Sequence, residues 1–361
     1  MLKNKTVAVV VPAYNEEKQI GMVIETMPDF VDRIIIVNDF SKDNTKDVVA
    51  KYIATCQKSN LPVVEKRKNN IYNRAEEMIE QRNIDELKLF VDSEVFNDNS
   101  DDKIVLINLL KNGGVGAAIA RGYKWCKDNN IDCTAVMAGD GQMDPDELES
   151  ICMPVVEEGI DYVKGNRLIH PSASMLIPKT RFFGNSVLSI LTKIASGYWH
   201  VSDTQTGYTA MSKRAINAIP LHKIYKRYGM PNDVLVKLNI AFCSLREIEI
   251  KPIYNVGEKS KMKVLKVISP ILWLLFKSFF KRLWNKYLLK SFHPLFILYF
   301  VSFSLLLVSI PFGVKILSHV FNYQDVNPVT VMAFIFLSIS GLQSLLFAMW
   351  MDIQDNERLY K

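Results

Sequence analysis

Two long uncharged runs near the C-terminus constrain the fold of this chain more than any other feature of the sequence. Residues 294–314 and 326–351 contain no Asp, Glu, Lys or Arg. Each run is long enough to cross the hydrocarbon core of a bilayer as a helix, which takes about 20 residues. A buried core helix would explain one such run, but two runs joined by a short polar link favour a membrane hairpin. The sequence therefore predicts a transmembrane hairpin over 293–353, with spans at about 294–314 and 327–351.

The segment that precedes the hairpin, 261–292, is basic and aromatic. From Lys263 to Lys290 it has seven basic residues, Lys263, Lys266, Lys277, Lys281, Arg282, Lys286 and Lys290, and no acidic residue lies among them. Such a segment is typical of an interfacial helix on anionic lipid. Nucleic-acid binding is the other interpretation of a basic patch, and the spans that follow argue against it. By the positive-inside rule, we expect the N-terminal domain and the tail, 354–361, to be cytoplasmic.

Residues 1–260 alternate between short apolar runs and amphipathic stretches. This alternation indicates an α/β domain with a mostly parallel, Rossmann-like sheet covered by helices on both faces. The predicted strands are 7–11, 33–37, 103–109, 134–137, 162–163 and 246–252, and the predicted helices are 16–27, 45–57, 116–129 and 145–157. A charge-rich stretch, 66–102, interrupts the pattern, and we interpret it as a helical surface insertion without an assigned role.

The N-terminus and the cysteines favour a reducing, cytoplasmic environment. Residues 6–11 form an apolar run that is too short for the h-region of a secretory signal. The five cysteines are odd in number and show no C-x-x-C spacing, which argues against a disulfide framework or a zinc site.

A polar loop follows the predicted strand 134–137, at the kind of position where open α/β sheets bind ligands. This loop, 138–145, follows an apolar run and contains Asp140, Gln142 and Asp144. Carboxylate and amide oxygens on a short loop suit a hard cation such as Mg²⁺ or Mn²⁺, which in turn binds phosphates. An acidic turn that caps a helix from Pro145 is the structural alternative.

Three further loops each have a structural interpretation when taken singly. Residues 11–17 (Val-Pro-Ala-Tyr-Asn-Glu-Glu) form a strand-to-helix turn, and 38–45 (Asn-Asp-Phe-Ser-Lys-Asp-Asn-Thr) ends a buried strand in helix-capping residues. The loop 112–116 (Asn-Gly-Gly-Val-Gly) superficially matches a dinucleotide-binding loop. It does not follow the first strand, so that match is weak evidence.

In this order, however, the four motifs resemble those of inverting family-2 glycosyltransferases of the GT-A fold, over roughly residues 5–262 without the insertion. The greatest similarity is to polyprenyl-phosphate sugar transferases of the dolichyl-phosphate mannose synthase type, several of which also carry paired membrane helices. The later runs Gly165-Asn166-Arg167, 203–208 and 252–261 resemble further motifs of these enzymes, the last being their closing loop.

The resemblance implies roles for individual positions. The residues implied to hold the sugar donor are Pro12, Tyr14, Glu16, Asp39, Gly139, Asp140 and Lys261. Asp140 and Gln142 match the ligands of the divalent metal on the donor diphosphate. Arg167 and Arg181 are the candidates for binding the phosphate of the acceptor, since the guanidinium fork suits phosphate.

This chain departs from the family pattern in three places. The metal motif of the family has two aspartates one residue apart, and Ala138 occupies the first of these positions. Asn38 and Phe40 flank Asp39 in place of the usual Asp and Gly, and Asn255 stands where some relatives have an arginine. With one carboxylate missing, we expect metal binding to be weak until the donor diphosphate supplies further ligands.

The implied reaction is metal-dependent transfer, with inversion, of a hexose from a UDP- or GDP-sugar to a polyprenyl phosphate at the cytoplasmic membrane face. The product would supply a lipid-linked sugar for cell-envelope glycan or glycoprotein assembly. A phosphate acceptor with a second pKa of about 6 is largely dianionic at neutral pH, so it needs positioning more than a general base. The catalytic candidates are Asp140, Arg167 and Asp233, the last as a base if the acceptor is a hydroxyl.

Two alternatives stay open. Transfer to the hydroxyl of a membrane lipid would make Asp233 essential, whereas a catalytically degenerate, membrane-anchored nucleotide-sugar binding or scaffold protein would be consistent with Ala138. A processive polysaccharide synthase fits less well, because the Gln-x-x-Arg-Trp motif is absent. The sequence leaves open the sugar, the base, the polyprenol and the oligomeric state, a homo-oligomer included. The isolated histidines, interpreted as structural or surface residues, are His170, His200 and His222.

Overall fold

An eight-stranded mixed sheet organises the N-terminal domain of the computed structural model, which describes residues 1–56, 58, 74–97, 101–177, 179–253 and 264–361. The strands are β1 (Val7–Ala13), β2 (Arg33–Asn38), β3 (Ser93–Val95), β4 (Ile104–Leu109), β5 (Cys133–Val136), β6 (Tyr162–Asn166), β7 (Thr209–Ser212) and β8 (Leu245–Glu249). Their spatial order is β3-β4-β2-β1-β5-β7-β6-β8. Neighbours from β4 to β5 are parallel, as are β6 and β8, whereas β3 and β7 run antiparallel to their neighbours. The predicted α/β class with a mostly parallel sheet is confirmed.

Helices cover both faces of this sheet. In chain order, the α-helices of the described residues, including those outside the sheet, are α1 (Ile20–Glu25), α2 (Thr45–Thr55), α3 (Arg74–Glu86), α4 (Val115–Asp128), α5 (Leu148–Glu157), α6 (Ala173–Leu176), α7 (Lys179–Ser196), α8 (Lys213–Ala218), α9 (Met230–Ile240), α10 (Val264–Arg282), α11 (Pro294–Phe321) and α12 (Pro328–Glu357). Along β1, Ala8 and Val10 pack into one core layer, and Val9 and Val11 pack into the other. This alternation follows from the two-residue period of a strand.

Helix α1 begins at Ile20, later than the predicted start at residue 16. The backbone amides of residues 15–17 donate instead to side chains of the neighbouring 41–45 loop. The acceptors are, in order, Ser41 Oγ (3.0 Å), Thr45 Oγ1 (2.9 Å) and Asp43 Oδ2 (3.1 Å). Asn15 also has a φ of +56°, outside the right-handed helical region. The loop after β1 is therefore held open along the carboxyl edge of the sheet.

The sequence does not predict β3 or β7. Strand β7 (Thr-Ala-Met-Ser) lies between β5 and β6 and is mostly buried, although it lacks the bulky β-branched run of a central strand. Strand β3 is a three-residue edge strand contributed by the charged stretch 66–102. Helix α3 of the same stretch has no buried residue and is tethered at Glu86, which pairs with Lys127 (3.0 Å) and His222 (2.8 Å).

Helices α11 and α12 overlap the two predicted spans and extend beyond them at their C-terminal ends. They have 28 and 30 residues and mean hydropathies of 2.3 and 2.0. Only 22% and 11% of their most apolar windows are buried within the protein, whereas the core helix of a soluble protein would be mostly covered. Both helices are long and apolar enough to cross a membrane, and they indicate membrane association.

The juxtamembrane segment consists of α10 and a π-helical stretch, Leu283–Lys290. Two basic residues of the segment expected to lie on anionic lipid, Arg282 and Lys286, are fully buried within the protein. A buried cation requires a partner, and Arg282 forms two 2.7 Å contacts with the Asp352 carboxylate near the end of α12. The basic side chains described as exposed are Lys277, Lys281 and Lys290. The side chains of Lys263 and Lys266 lie outside the described residues.

Candidate active site

A small cleft, with a cavity volume of about 60 Å³, opens beyond the carboxyl end of β5. Its lining includes Ala138, Asp140, Gln142, Met143, Asp144, Glu147, Arg167, Thr206, Gly207, Tyr208, Ile250, Lys251 and Ile253. The cleft thus brings together three predicted site residues: Asp140, Gln142 and Arg167. It lies at the edge of the sheet where open α/β folds bind ligands.

The acidic turn is built by short local contacts. Asp140 Oδ1 accepts from the amide of Gln142 (3.1 Å), and Gly141 between them has a φ of +74°, which favours glycine. The amide of Gly139 donates to Pro12 O (3.3 Å), which ties this turn to the loop after β1. Asp144 caps the following 3₁₀ turn through the amide of Asp146 (3.0 Å). The turn therefore leaves Asp140 and Gln142 on the cleft wall while Asp144 supports the backbone.

The predicted nucleoside-binding residues lie along the same edge but outside the lining of the described cleft. Pro12, Tyr14 and Glu16 are partly buried at the end of β1 and in the loop that follows it. Asp39 follows β2 directly and is 3% exposed. Since β1 lies between β2 and β5, these residues form one continuous edge with the acidic turn.

The carboxylate of Asp39 holds the glycine-rich loop. It accepts from the amides of Gly113 (2.6 Å) and Gly114 (2.8 Å). Burial raises its pKa, although these two donors act in the opposite direction. Gly116 donates to Lys226 O (2.9 Å), and a Cβ at Gly116 would lie 2.0 Å from Tyr225 O. The glycines therefore permit close packing of loop 225–229 on the start of α4. This packing accounts for the glycines without a dinucleotide-binding role.

Arg167 is fixed by a carboxylate beneath the cleft. Its Nε and Nη2 donate to the two oxygens of Asp203, at 2.8 and 3.1 Å. Asp203 is fully buried and also accepts from the amides of Gln205 and Thr206, both at 3.2 Å. Burial opposes ionisation of Asp203, but the charges of Arg167 and Lys164, together with the hydrogen bonds from Arg167, outweigh it and lower the pKa of this carboxyl group. Arg167, 24% exposed, thus presents a fixed cation to the cleft.

Two more charged side chains lie under loop 202–206, Glu247 partly buried and Lys164 fully buried. Glu247 of β8 accepts from the amides of Ser202 and Asp203 and from Asn166 Nδ2, all within 3.0 Å. Lys164 of β6 is fully buried and donates to Thr206 O, and burial lowers its pKa to about 8. Loop 202–206 is therefore fastened from below by both strands.

Other predicted residues fall outside the cleft or outside the described part of the chain. Asp233 of α9 is 7% exposed, accepts from the amide of Tyr225 (2.8 Å) and forms an ion pair with Lys237. It is not among the residues that line the cleft. The side chain of Arg181 lies outside the described residues, and so do Asn255 and Lys261 of the predicted closing loop.

The cleft contains two charged residues that the sequence does not predict, Glu147 and Lys251. Lys251 donates through its amide to Glu147 Oε1 (2.8 Å) and through Nζ to Asp144 Oδ2 (3.1 Å). Glu147 Oε2 is buried without a hydrogen-bond partner among the described residues, and burial raises the pKa of this carboxyl group. In the sequence, Glu147 looks only like an acidic residue in the first turn of a helix. Lys251 lies near the end of the predicted strand 246–252, and this position could have identified it as a candidate site residue.

The oxygen atoms that line the cleft fit a divalent cation whose remaining ligands come from another molecule. Asp140 supplies a carboxylate, Gln142 an amide oxygen, and the unpartnered Glu147 Oε2 lies in the same lining. Hard cations prefer such oxygen ligands. Within the described ranges no group of three or more His, Cys, Asp or Glu residues is placed to hold a metal. Phosphate oxygens of a bound donor would therefore have to supply further ligands.

Comparison with known proteins identifies the family. Residues 8–76 and 88–219 match the sequence profile described as Glycosyl transferase family 2. The chain belongs to this family. It is therefore a glycosyltransferase, and its sheet is that of the GT-A fold. The unmatched residues, 77–87, lie largely within α3, so this exposed helix is a feature of the chain beyond the family profile.

Two named relatives of this glycosyltransferase are dolichyl-phosphate sugar transferases. Over 255 residues it is 29% identical to UDP-N-acetylglucosamine–dolichyl-phosphate N-acetylglucosaminyltransferase of Methanococcus voltae, covering 70% of this chain and 88% of the relative. It is 24% identical to dolichyl-phosphate beta-glucosyltransferase ALG5C of Trichomonas vaginalis, covering 72% and 67%. Glucosyl-3-phosphoglycerate synthase of Mycobacterium tuberculosis superposes with a TM-score of 0.46 at 15% identity, covering 77% of this chain and 80% of that one.

Proposed function

We propose that this glycosyltransferase transfers a hexose, with inversion, from a UDP-sugar to the phosphate of a polyprenyl phosphate. The observation that carries the proposal is the composition of one cleft. Asp140 and Gln142, oxygen ligands suited to a cation on a diphosphate, line the same cleft as Arg167, a cation fixed by a buried carboxylate. The cleft can thus compensate charge on a leaving diphosphate and on an incoming phosphate.

On the donor side, Asp140 and Gln142 would hold Mg²⁺ or Mn²⁺, with Glu147 Oε2 nearby in the lining. The bound cation would offset the negative charge that develops on the departing nucleoside diphosphate. Pro12, Tyr14, Glu16 and Asp39 extend along the same edge, and we assign the nucleoside to them. Lys261, outside the described residues, remains our candidate for a second cation on the diphosphate.

On the acceptor side, Arg167 would bind the phosphate and hold one of its oxygens towards the anomeric carbon. Its bidentate contact with Asp203 fixes the guanidinium plane, so that little freedom is lost when phosphate binds. A phosphate monoester is largely ionised at neutral pH and needs no general base. Arg181 is retained as a second candidate ligand.

The relatives favour UDP-linked donors, with UDP-N-acetylglucosamine first because the relative from M. voltae matches over most of its length. UDP-glucose is the next candidate, by similarity to the dolichyl-phosphate glucosyltransferases, and GDP-mannose is a further donor to test. The product, a sugar on a membrane-bound phosphate, would serve as a lipid-linked donor for envelope glycan or glycoprotein assembly.

We place the active site on the cytoplasmic face. Leu359 and Lys361 of the tail exchange backbone hydrogen bonds with Leu245 of β8 (2.7 and 2.9 Å), so the tail and the catalytic domain lie on the same side of the hairpin. Lys277 and Lys281 are exposed beside the hairpin, where the positive-inside rule expects cytoplasmic residues.

A lipid hydroxyl is the less favoured acceptor. It would need a general base, and Asp233, the predicted candidate, is engaged by Lys237 and the Tyr225 amide outside the cleft lining. We assign Asp233 to the support of loop 225–229 instead.

A panel of radiolabelled donors tests the proposal. The full chain in vesicles would be incubated with UDP-N-acetylglucosamine, UDP-glucose or GDP-mannose, Mn²⁺, and undecaprenyl or dolichyl phosphate. Label should enter the lipid extract only when the polyprenol carries a phosphate, with free polyprenol as the control. Label on diacylglycerol would instead establish a hydroxyl acceptor. Failure of calorimetry to detect binding of any donor with Mn²⁺ would favour the scaffold alternative.

A further inference from the structure

The membrane hairpin and the loop that holds Arg167 are connected by two helices. Helices α7 and α9 pack against each other and against α10. Each has its C-terminal end at the base of the hairpin, whereas a more N-terminal part lies against loop 202–206. Both ends of this connection are made of specific polar contacts.

At the hairpin, Arg282 uses all three guanidinium nitrogens in a fully buried position. Nη1 and Nη2 donate to the Asp352 carboxylate (2.7 Å each), Nε donates to Ala195 O, and Nη2 also donates to Ile194 O (3.0 Å each). The two carbonyls belong to the last turn of α7, where backbone acceptors lack helical partners. A Cβ at Gly197 would lie 2.6 Å from Nη1, so the chain after α7 fits closely around this pair.

Helix α9 ends in a second set of contacts at the same place. Lys286 Nζ donates to Asn239 Oδ1 (3.1 Å) and to Asn356 Oδ1 (2.5 Å). Asn239 Nδ2 donates to the same Asn356 oxygen (2.7 Å). Asn239 lies in the last turn of α9 and Asn356 in the last turn of α12, so this helix is also fixed to the hairpin.

At the other end, both helices hold loop 202–206. Ser189 Oγ of α7 lies 3.1 Å from Thr204 Oγ1. Asn232 Oδ1 of α9 accepts from Gln205 Nε2 (2.9 Å) and from Thr192 Oγ1 of α7 (3.2 Å). The loop held in this way contains Asp203, the carboxylate that orients Arg167.

We propose that Arg282 is a positioning residue for the acceptor. Its ion pair with Asp352 couples the position of the hairpin relative to the catalytic domain to the position of the Arg167 guanidinium. The inference rests on the proposed polyprenyl-phosphate acceptor. A simple anchor would need no buried ion pair, because apolar replacements of such pairs are often as stable. An acceptor whose tail stays in the bilayer presents its phosphate at a fixed depth, and the cation that binds it must be held at a matching depth.

The test uses the full chain in vesicles and the double variant Arg282→Met/Asp352→Leu. The single Arg282→Met change would leave a buried carboxylate without its cation and endanger folding, whereas the double change removes both charges together and keeps the space filled. Lys281→Met is the matched control, since Lys281 is the exposed neighbour in the same segment. The measurements are the KM for undecaprenyl phosphate, the donor Kd by calorimetry, and amide exchange in loop 202–206 relative to the 38–40 region.

We expect the double variant to raise the acceptor KM by about 5- to 10-fold, with faster exchange in loop 202–206 and an unchanged donor Kd. Values equal to those of Lys281→Met overturn the proposal. Loss of donor binding, or faster exchange throughout the sheet, also overturns it, because the pair would then stabilise the protein as a whole. The exchange measurement stands apart from the proposed function: if the unmodified enzyme does not use undecaprenyl phosphate, that function fails, while exchange still reports the coupling.

Discussion

At the scale of single residues, Ala138 is the position where this chain differs most informatively from its family. It lines the cleft with Asp140 and Gln142 but offers no oxygen from its side chain. We predict that Ala138→Asp tightens Mn²⁺ binding without donor on the order of tenfold, because ligand charge tunes affinity at hard-cation sites. Titration of Mn²⁺ followed by electron paramagnetic resonance measures this directly. Asp140→Asn should weaken Mn²⁺ binding in the presence of donor. An Ala138→Asp protein with unchanged Mn²⁺ affinity would mean that this turn is not part of the metal site.

Lys164 provides a pH test at the same scale. Its pKa is lowered by burial to about 8, below the ordinary value of 10.5, so the unfolded chain binds its proton more tightly than the folded protein does. Between these two values the unfolding free energy of the native protein should rise with pH relative to Lys164→Met, by at most about 1.4 kcal/mol per pH unit. Below pH 8 the difference should be constant. Parallel melting curves in detergent from pH 7 to 10.5 measure it, and equal slopes would mean that Lys164 keeps its ordinary pKa in the folded protein.

At the scale of elements, the start of α4 requires glycine for packing. A methyl group at Gly116 would overlap the Tyr225 carbonyl at 2.0 Å. We predict that Gly116→Ala costs about 2 kcal/mol or more of stability, as expected for overpacking against backbone, and weakens donor binding, since the adjacent Gly113 and Gly114 bind Asp39. Gly184→Ala is the control: no atom of the described residues lies within 4 Å of its Cβ position on α7, so it should be neutral or slightly stabilising. Similar melting temperatures for the two variants would contradict this account.

The elements also show how far sequence reasoning reaches. Strands such as β1 and β2 are predictable because β-branched runs and core burial indicate the same structure. Strand β7 is not, because its burial between β5 and β6 comes from tertiary neighbours and not from its own side chains. The site divides similarly. Asp140, Gln142 and Arg167 lie in motifs, whereas Glu147 enters the cleft through the geometry of a 3₁₀ turn that no residue spacing reveals.

At the scale of the whole molecule, the hairpin is joined to the catalytic domain by specific polar contacts. The sequence indicates a basic segment that lies on lipid, but Arg282 and Lys286 turn inward because α12 brings Asp352 and Asn356 to the same place. That partnership joins residues about 70 positions apart, and it depends on the hairpin folding back. A local sequence pattern cannot reveal partners that are so distant along the chain, so the sequence shows the charge of these basic residues but not their burial.

The C-terminal tail completes the return of the chain to the sheet. Leu359 O and the amide of Lys361 bind Leu245 across 2.7 and 2.9 Å, and Arg246 Nε donates to Lys361 O (3.1 Å). These contacts use the tail backbone and cover part of the β8 edge, which would otherwise present unpaired groups. We predict that deleting 358–361 lowers the melting temperature by several degrees, about 2–4 °C for each kcal/mol lost, and promotes aggregation. Lys361→Ala keeps every one of these backbone contacts and should melt like the native protein; a deletion variant that does the same would show that the tail adds nothing to the sheet.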